Sequence, residues 1–166
     1  MASILVLGTS HRVQGTPSFI GSVKDPGYAQ AISTIISERV IDFVFEEASG
    51  CGPSTAQKLT ESLGSVRYLD IDLHPSVRYE HGIADAEGNP FPENITPEAQ
   101  VEEQNQREQF WCTRIAEQKF ERGLVICGFA HTLSVVFRLR SAGFSLQYDW
   151  YLPHDRLCSH HSDEGL

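Results

Sequence analysis

Short unbroken apolar runs along this chain alternate with longer segments in which apolar positions recur at helical spacing. Ile4-Leu5-Val6-Leu7 and Leu124-Val125-Ile126-Cys127 are two such runs, and each leads into Gly-x-x-His: Gly8-Thr9-Ser10-His11 and Gly128-Phe129-Ala130-His131. A run of this length predicts a buried strand. The glycine after it lets the backbone turn sharply or lie close to another group. Segments 40–45 and 66–71 are β-branched and aromatic runs that predict two more strands, and 144–150 predicts a last one. Asp25-Pro26 reads as the cap and first residue of a helix, whose Tyr28, Ala31, Ile32, Ile35 and Ile36 share one face. Further helices are expected from Gly50–Ser54 to about Leu63, from about Pro97 to Glu121, and from about Thr132 to Ala142, closed by Gly143.

Strand–helix alternation of this kind predicts an α/β fold, a central and mainly parallel (mixed) sheet of about five strands with helices on its faces. One domain over 1–152 accounts for it. Residues 75–97, rich in Pro, Gly and acidic side chains, are expected to form a lid loop. Residues 153–166 read as a polar, loosely held tail.

Composition narrows the setting. The chain has 166 residues, 40% of them hydrophobic, and a net charge of −9, which argues against nucleic acid or an anionic membrane as partner. Cys51, Cys112, Cys127 and Cys158 lie far apart, with no C-x-x-C pair. They read as reduced thiols of a cytoplasmic protein.

In a parallel sheet, whatever follows each strand gathers on one edge, where open α/β proteins bind ligands. Strand one delivers His11, strand two Glu46 and Glu47, strand three Asp70, Asp72 and His74, and strand four His131. Imidazole and carboxylate together suit either general acid–base chemistry or a divalent metal held by His11, Glu46 and His131, with Glu47 and His74 as further candidate ligands. The spacing leaves open which of Glu46 and Glu47 faces the site. His74, before Pro75, reads as a loop residue in preference to a ligand. Helical rise places Arg107 about 21 Å back from a helix end near Glu121, and strand four climbs ~20 Å. Arg107 is therefore expected level with the site, with Trp111 and Arg114 on its face, ready to clamp a carboxylate or stabilise an oxyanion.

Taken in order, Gly8–His11, the strand end Phe45-Glu46-Glu47, the helix Arg107–Ile115 and Gly128–His131 resemble the TraB/Tiki superfamily, which includes the erythromycin esterases and the ChaN-like proteins. The likeness extends over most of residues 3–148. It implies a mainly parallel sheet with a cleft at the strand ends. Tiki-like members are metal-dependent proteases, and erythromycin esterases open a lactone with histidine as base. Carried over, His11 and His131 are ligands or bases, Glu46 or Glu47 a ligand or general base, and Arg107 the polariser. The extra helical substrate-covering segments of larger members are missing from this chain.

The expectation is a small cytoplasmic hydrolase that activates water against an ester or amide bond of a small-molecule or peptide substrate. One divalent ion (Mn, Co, Zn or Fe) is a candidate cofactor. The alternative is a non-catalytic module that binds a small ligand or a metal and acts through a protein partner. An exposed last strand is a candidate homodimer edge.

Overall fold

The computed structural model describes residues 1–15, 25–48, 52–74, 77 and 96–152. The expected lid falls almost wholly outside the described residues, as do the tail, Cys51 and Cys158.

Five strands form one sheet: β1 (Ser3–Thr9), β2 (Phe43–Glu46), β3 (Arg67–Asp70), β4 (Arg122–Gly128) and β5 (Ser145–Trp150). Their order is β3-β2-β4-β1-β5, and every neighbouring pair is parallel. The expected mixture is thus fully parallel. Helix α1 (His11–Gln14) and helix α2 (Pro26–Glu38) connect β1 to β2, and α3 (Thr55–Leu63) connects β2 to β3. Helix α4 (Pro97–Ala116) leads into β4, and α5 (Thr132–Ser141) follows a single 3₁₀ turn at Phe129–His131.

The apolar runs work as strands because alternate side chains serve opposite faces. Ile4, Val6, Phe43, Phe45 and Val125 pack with Trp111, Ile115, Val135 and Leu139 of α4 and α5. Leu7, Val44, Leu124 and Ile126 pack with Tyr28, Ile32 and Ala56 of α2 and α3. Helix starts follow their caps: Asp25 accepts from the N–H groups of Gly27 and Tyr28, and Thr96 from that of Ala99.

Two boundaries move. Helix α4 stops at Ala116, short of the expected Glu121, and the chain then turns so that Asp42 can accept from the N–H groups of Glu121 and Arg122. Strand β2 starts at Phe43 because Val40, at φ 53°, sits in the left-handed region while Ile41 N–H still bonds Ile36 at the end of α2. Among the described residues, no helix is long and apolar enough to cross a membrane.

The strand order decides the site. Strand β4 inserts between β2 and β1, so the chain ends carrying Glu47, His131 and His11 emerge side by side from three adjacent strands.

Candidate active site

Glu47 stands at the centre of this edge and is buried. Its Oε2 accepts from Gly128 N–H (2.8 Å), and its Oε1 accepts from Arg107 Nη2 (3.0 Å). The same Oε1 lies 3.7 Å from His11 Nε2 and 3.8 Å from His131 Nε2. Two imidazoles therefore present the same ring nitrogen to one carboxylate oxygen, too far for direct hydrogen bonds and close enough to share a bridging water.

Each ring is held from behind, and the two anchors differ. Gln14, one helical turn after His11, donates its Nε2 to the carbonyl of Glu47 (3.4 Å). Its Oε1 is then the atom facing His11 Nδ1 (2.8 Å), which must carry the proton, leaving a lone pair on Nε2. His131 Nδ1 instead donates to the carboxylate of Glu108 (2.8 Å). Burial by itself depresses the His131 pKa, but the Glu108 bond and the Glu47 charge outweigh it and hold the group above the ordinary imidazole value. Glu108 is lowered in turn: burial opposes ionisation, but bonds from His131, Ser134 and Arg138 prevail. The two rings thus differ in what holds them: an amide oxygen behind His11 and a carboxylate behind His131.

Glycine is required where His11 approaches. A Cβ on Gly128 would lie 2.7 Å from His11 Nε2, and one on Gly8 would strike Thr132 Oγ1 and the Trp150 ring. The two Gly-x-x-His segments are not in step, because Thr9, not Gly8, pairs with Gly128.

Arg107 is found at the strand ends, but its guanidinium is not a free polariser. Nη2 bonds both Glu47 and Asp72 Oδ2 (2.9 Å), Nε approaches Asp72 Oδ1 (3.4 Å), and Glu103 lies 3.7 Å away. Burial lowers its pKa, but the charges of Asp72 and Glu47 more than compensate, so it stays cationic. Trp111 Nε1 donates to Asp72 Oδ1 (3.0 Å), and its ring meets His131 edge-on at 5.0 Å between centroids. Arg114, two turns beyond Arg107 along the helix, lies over Phe110.

Glu46 does not join the cluster. Strand alternation turns it to the α2–α3 face, where its Oε2 accepts from Ser54 Oγ and from Tyr68 OH (2.8 Å). Burial pushes its carboxyl up to about 7, against the pull of the Ser54 and Tyr68 bonds. His74 is exposed. Asp70 has a local task, accepting from the N–H groups of Ala48 and Asp72.

The fit to a metal is poor. Arg107 already occupies Glu47 Oε1 and holds a fixed positive charge where an ion's charge would fall. Among the described residues, no group of three or more His, Cys, Asp or Glu is disposed to hold a metal ion.

Gln14, Glu103 and Glu108 do not stand out as site residues in the sequence, whereas Asp72 does, at the end of strand three. Two signals were present: Gln14 follows His11 at i+3, and Glu103, Arg107, Glu108 and Trp111 extend along α4 the buried stripe of Cys112 and Ile115. Charged residues in such a stripe mark a polar interior. Comparison of the chain with protein-family models, curated proteins and solved structures found no match to any of them.

Proposed function

We propose that this protein is a hydrolase that attacks ester or amide carbonyls by paired-histidine acid–base catalysis around Glu47. The observation that supports it is the convergence of two differently anchored Nε2 atoms on one carboxylate oxygen. A water within ~2.8 Å of His11 Nε2 and Glu47 Oε1 gives its proton to His11 as its oxygen attacks the carbonyl carbon. The resulting tetrahedral intermediate collapses as His131 donates its Nε2 proton to the leaving oxygen or nitrogen. His11 then returns its proton to solvent, and His131 regains one.

Glu47 stabilises the imidazolium on either ring, and Arg107 with Gly128 N–H holds that carboxylate in place. Arg107 is therefore a positioning residue in this scheme. Access runs past His11, whose side chain is 36% exposed against 3% for Glu47 and 8% for His131. The likeness of the four motifs to the TraB/Tiki superfamily agrees with hydrolysis. The histidine-base chemistry of its esterase members is the closer parallel, given the poor metal fit.

Activated esters and chromogenic peptide amides test the proposal. Wild type should turn over at least one class, and His11→Ala and His131→Ala should each lose about 10²–10⁴-fold while remaining folded. Equal rates in wild type and both variants would refute it.

A further inference from the structure

A second feature lies at the opposite edge of the sheet, where the strands begin. Register places Arg122, Ser3 and Ser145 in one row across β4, β1 and β5. Alternation sends these side chains to the α2–α3 face, the same face as Leu124, Leu5 and Gln147 two residues further on. The end of α2 supplies a wall through Arg39 and Ile41. Together these residues bound a cavity of about 250 Å³.

The chemistry of its lining is one-sided. Two arginines and two serines line it and no carboxylate does, in a chain whose net charge is −9; the Ser3 hydroxyl also reaches the Glu121 carbonyl at 3.5 Å. Arg39 Nη1 donates to Gln147 Oε1 (2.9 Å), which leaves the Gln147 amide N–H groups as further donors. The Arg122 guanidinium makes no hydrogen bond or ion pair among the described residues. The adjacent acid, Asp42, is already engaged by the N–H groups of Glu121 and Arg122 and by Arg67 (3.5 Å). The Arg122 row lies a full strand length from Glu47, about 20 Å, so the cavity is separate from the histidine site.

We propose that this cavity binds the phosphate group of a small phosphorylated molecule, with Arg122 and Arg39 clamping the oxyanion and Ser3, Ser145 and Gln147 completing its hydrogen bonds. Guanidinium forks match phosphate oxygens bidentately, and a lining with two arginines and no carboxylate favours an anion rich in acceptor oxygens. Carboxylates share part of this chemistry, so the experiment separates the two sources.

Calorimetric titration of the full chain at low salt with pyrophosphate, inorganic phosphate and malonate tests the proposal. Pyrophosphate should bind most tightly and malonate at least about tenfold more weakly. Arg122→Gln and Arg39→Gln should each weaken pyrophosphate about 10–100-fold, the loss of one charged hydrogen-bonded partner. Arg122→Lys should recover only part, because the charge returns without the fork. A His11→Ala/His131→Ala double variant should bind as wild type does. Amide ¹⁵N–¹H spectra establish that each exposed-arginine variant is folded. Absence of pyrophosphate binding, binding indifferent to Arg39 and Arg122, binding lost in the histidine variant, or tighter binding of malonate than of pyrophosphate would each overturn the proposal.

Discussion

Replacing Glu46 by Gln should flatten the dependence of stability on pH, and the size of the effect follows from the burial of one carboxyl. Glu46 is fully buried, accepts two hydroxyl bonds on Oε2, and has no partner on Oε1 among the described residues. Burial raises its pKa from the ordinary 4.5 to about 7. The folded state then holds this proton to higher pH than the unfolded chain does. The stability this contributes is complete below pH ~4.5 and is lost as pH rises through about 7. At about 1.4 kcal/mol per pH unit the full effect is about 3 kcal/mol, of which roughly 2–3 kcal/mol falls between about pH 5 and pH 8. Glu46→Gln keeps the shape and the acceptor for Ser54 and Tyr68 but cannot ionise. Urea unfolding of both proteins at about pH 5 and pH 8 isolates the effect, because His131 and Glu108 titrate in each and cancel in the difference. Wild type should lose about 2–3 kcal/mol more than the variant across that interval. Parallel curves would refute the placement of Glu46 in a buried pocket apart from the histidines, as would wild type gaining stability over the variant.

The remaining predictions concern the histidine cluster. Glu108→Gln removes the carboxylate that holds the His131 proton, so the alkaline limb of the kcat/KM profile should move to lower pH, and imidazole NMR should show the same direction. Arg107→Met leaves Glu47 and Asp72 buried without their cation and should cost about 3–5 kcal/mol in denaturant unfolding. Gly128→Ala should push His11 off Glu47 and lower turnover by about 10²-fold, while unfolding experiments show a loss of only about 1–3 kcal/mol. Elemental analysis of chelator-free protein should find no stoichiometric metal, and added Mn, Co or Zn should not raise Tm.

Much of the fold was legible in sequence because apolar runs and caps act locally. The two Gly-x-x-His segments do end adjacent parallel strands, and Asp25-Pro26 does open a helix. The choice between Glu46 and Glu47 was not legible. Alternation shows that Phe43 and Phe45 share a face with Glu47, but not that α4, with Arg107, covers that face. That depends on which side of the sheet each crossover takes, a property of the whole chain. Helical rise gives the level of Arg107, yet its ion pairs depend on Asp72, which approaches from beyond the end of β3. The end of α4 is not legible locally, because residues 117–121 have helix-compatible composition and the turn there is set by Asp42, some eighty residues away in the chain.

¹⁵N chemical shifts of the two imidazoles, followed through a pH titration, test most directly the proposal that His11 and His131 are prepared for opposite tasks. The shifts should show neutral His11 protonated on Nδ1 with a bare Nε2, and His131 keeping both ring protons to a pH above the ordinary imidazole value near 6.5. A neutral His11 protonated on Nε2, or a His131 that loses its second proton below that value, would contradict it.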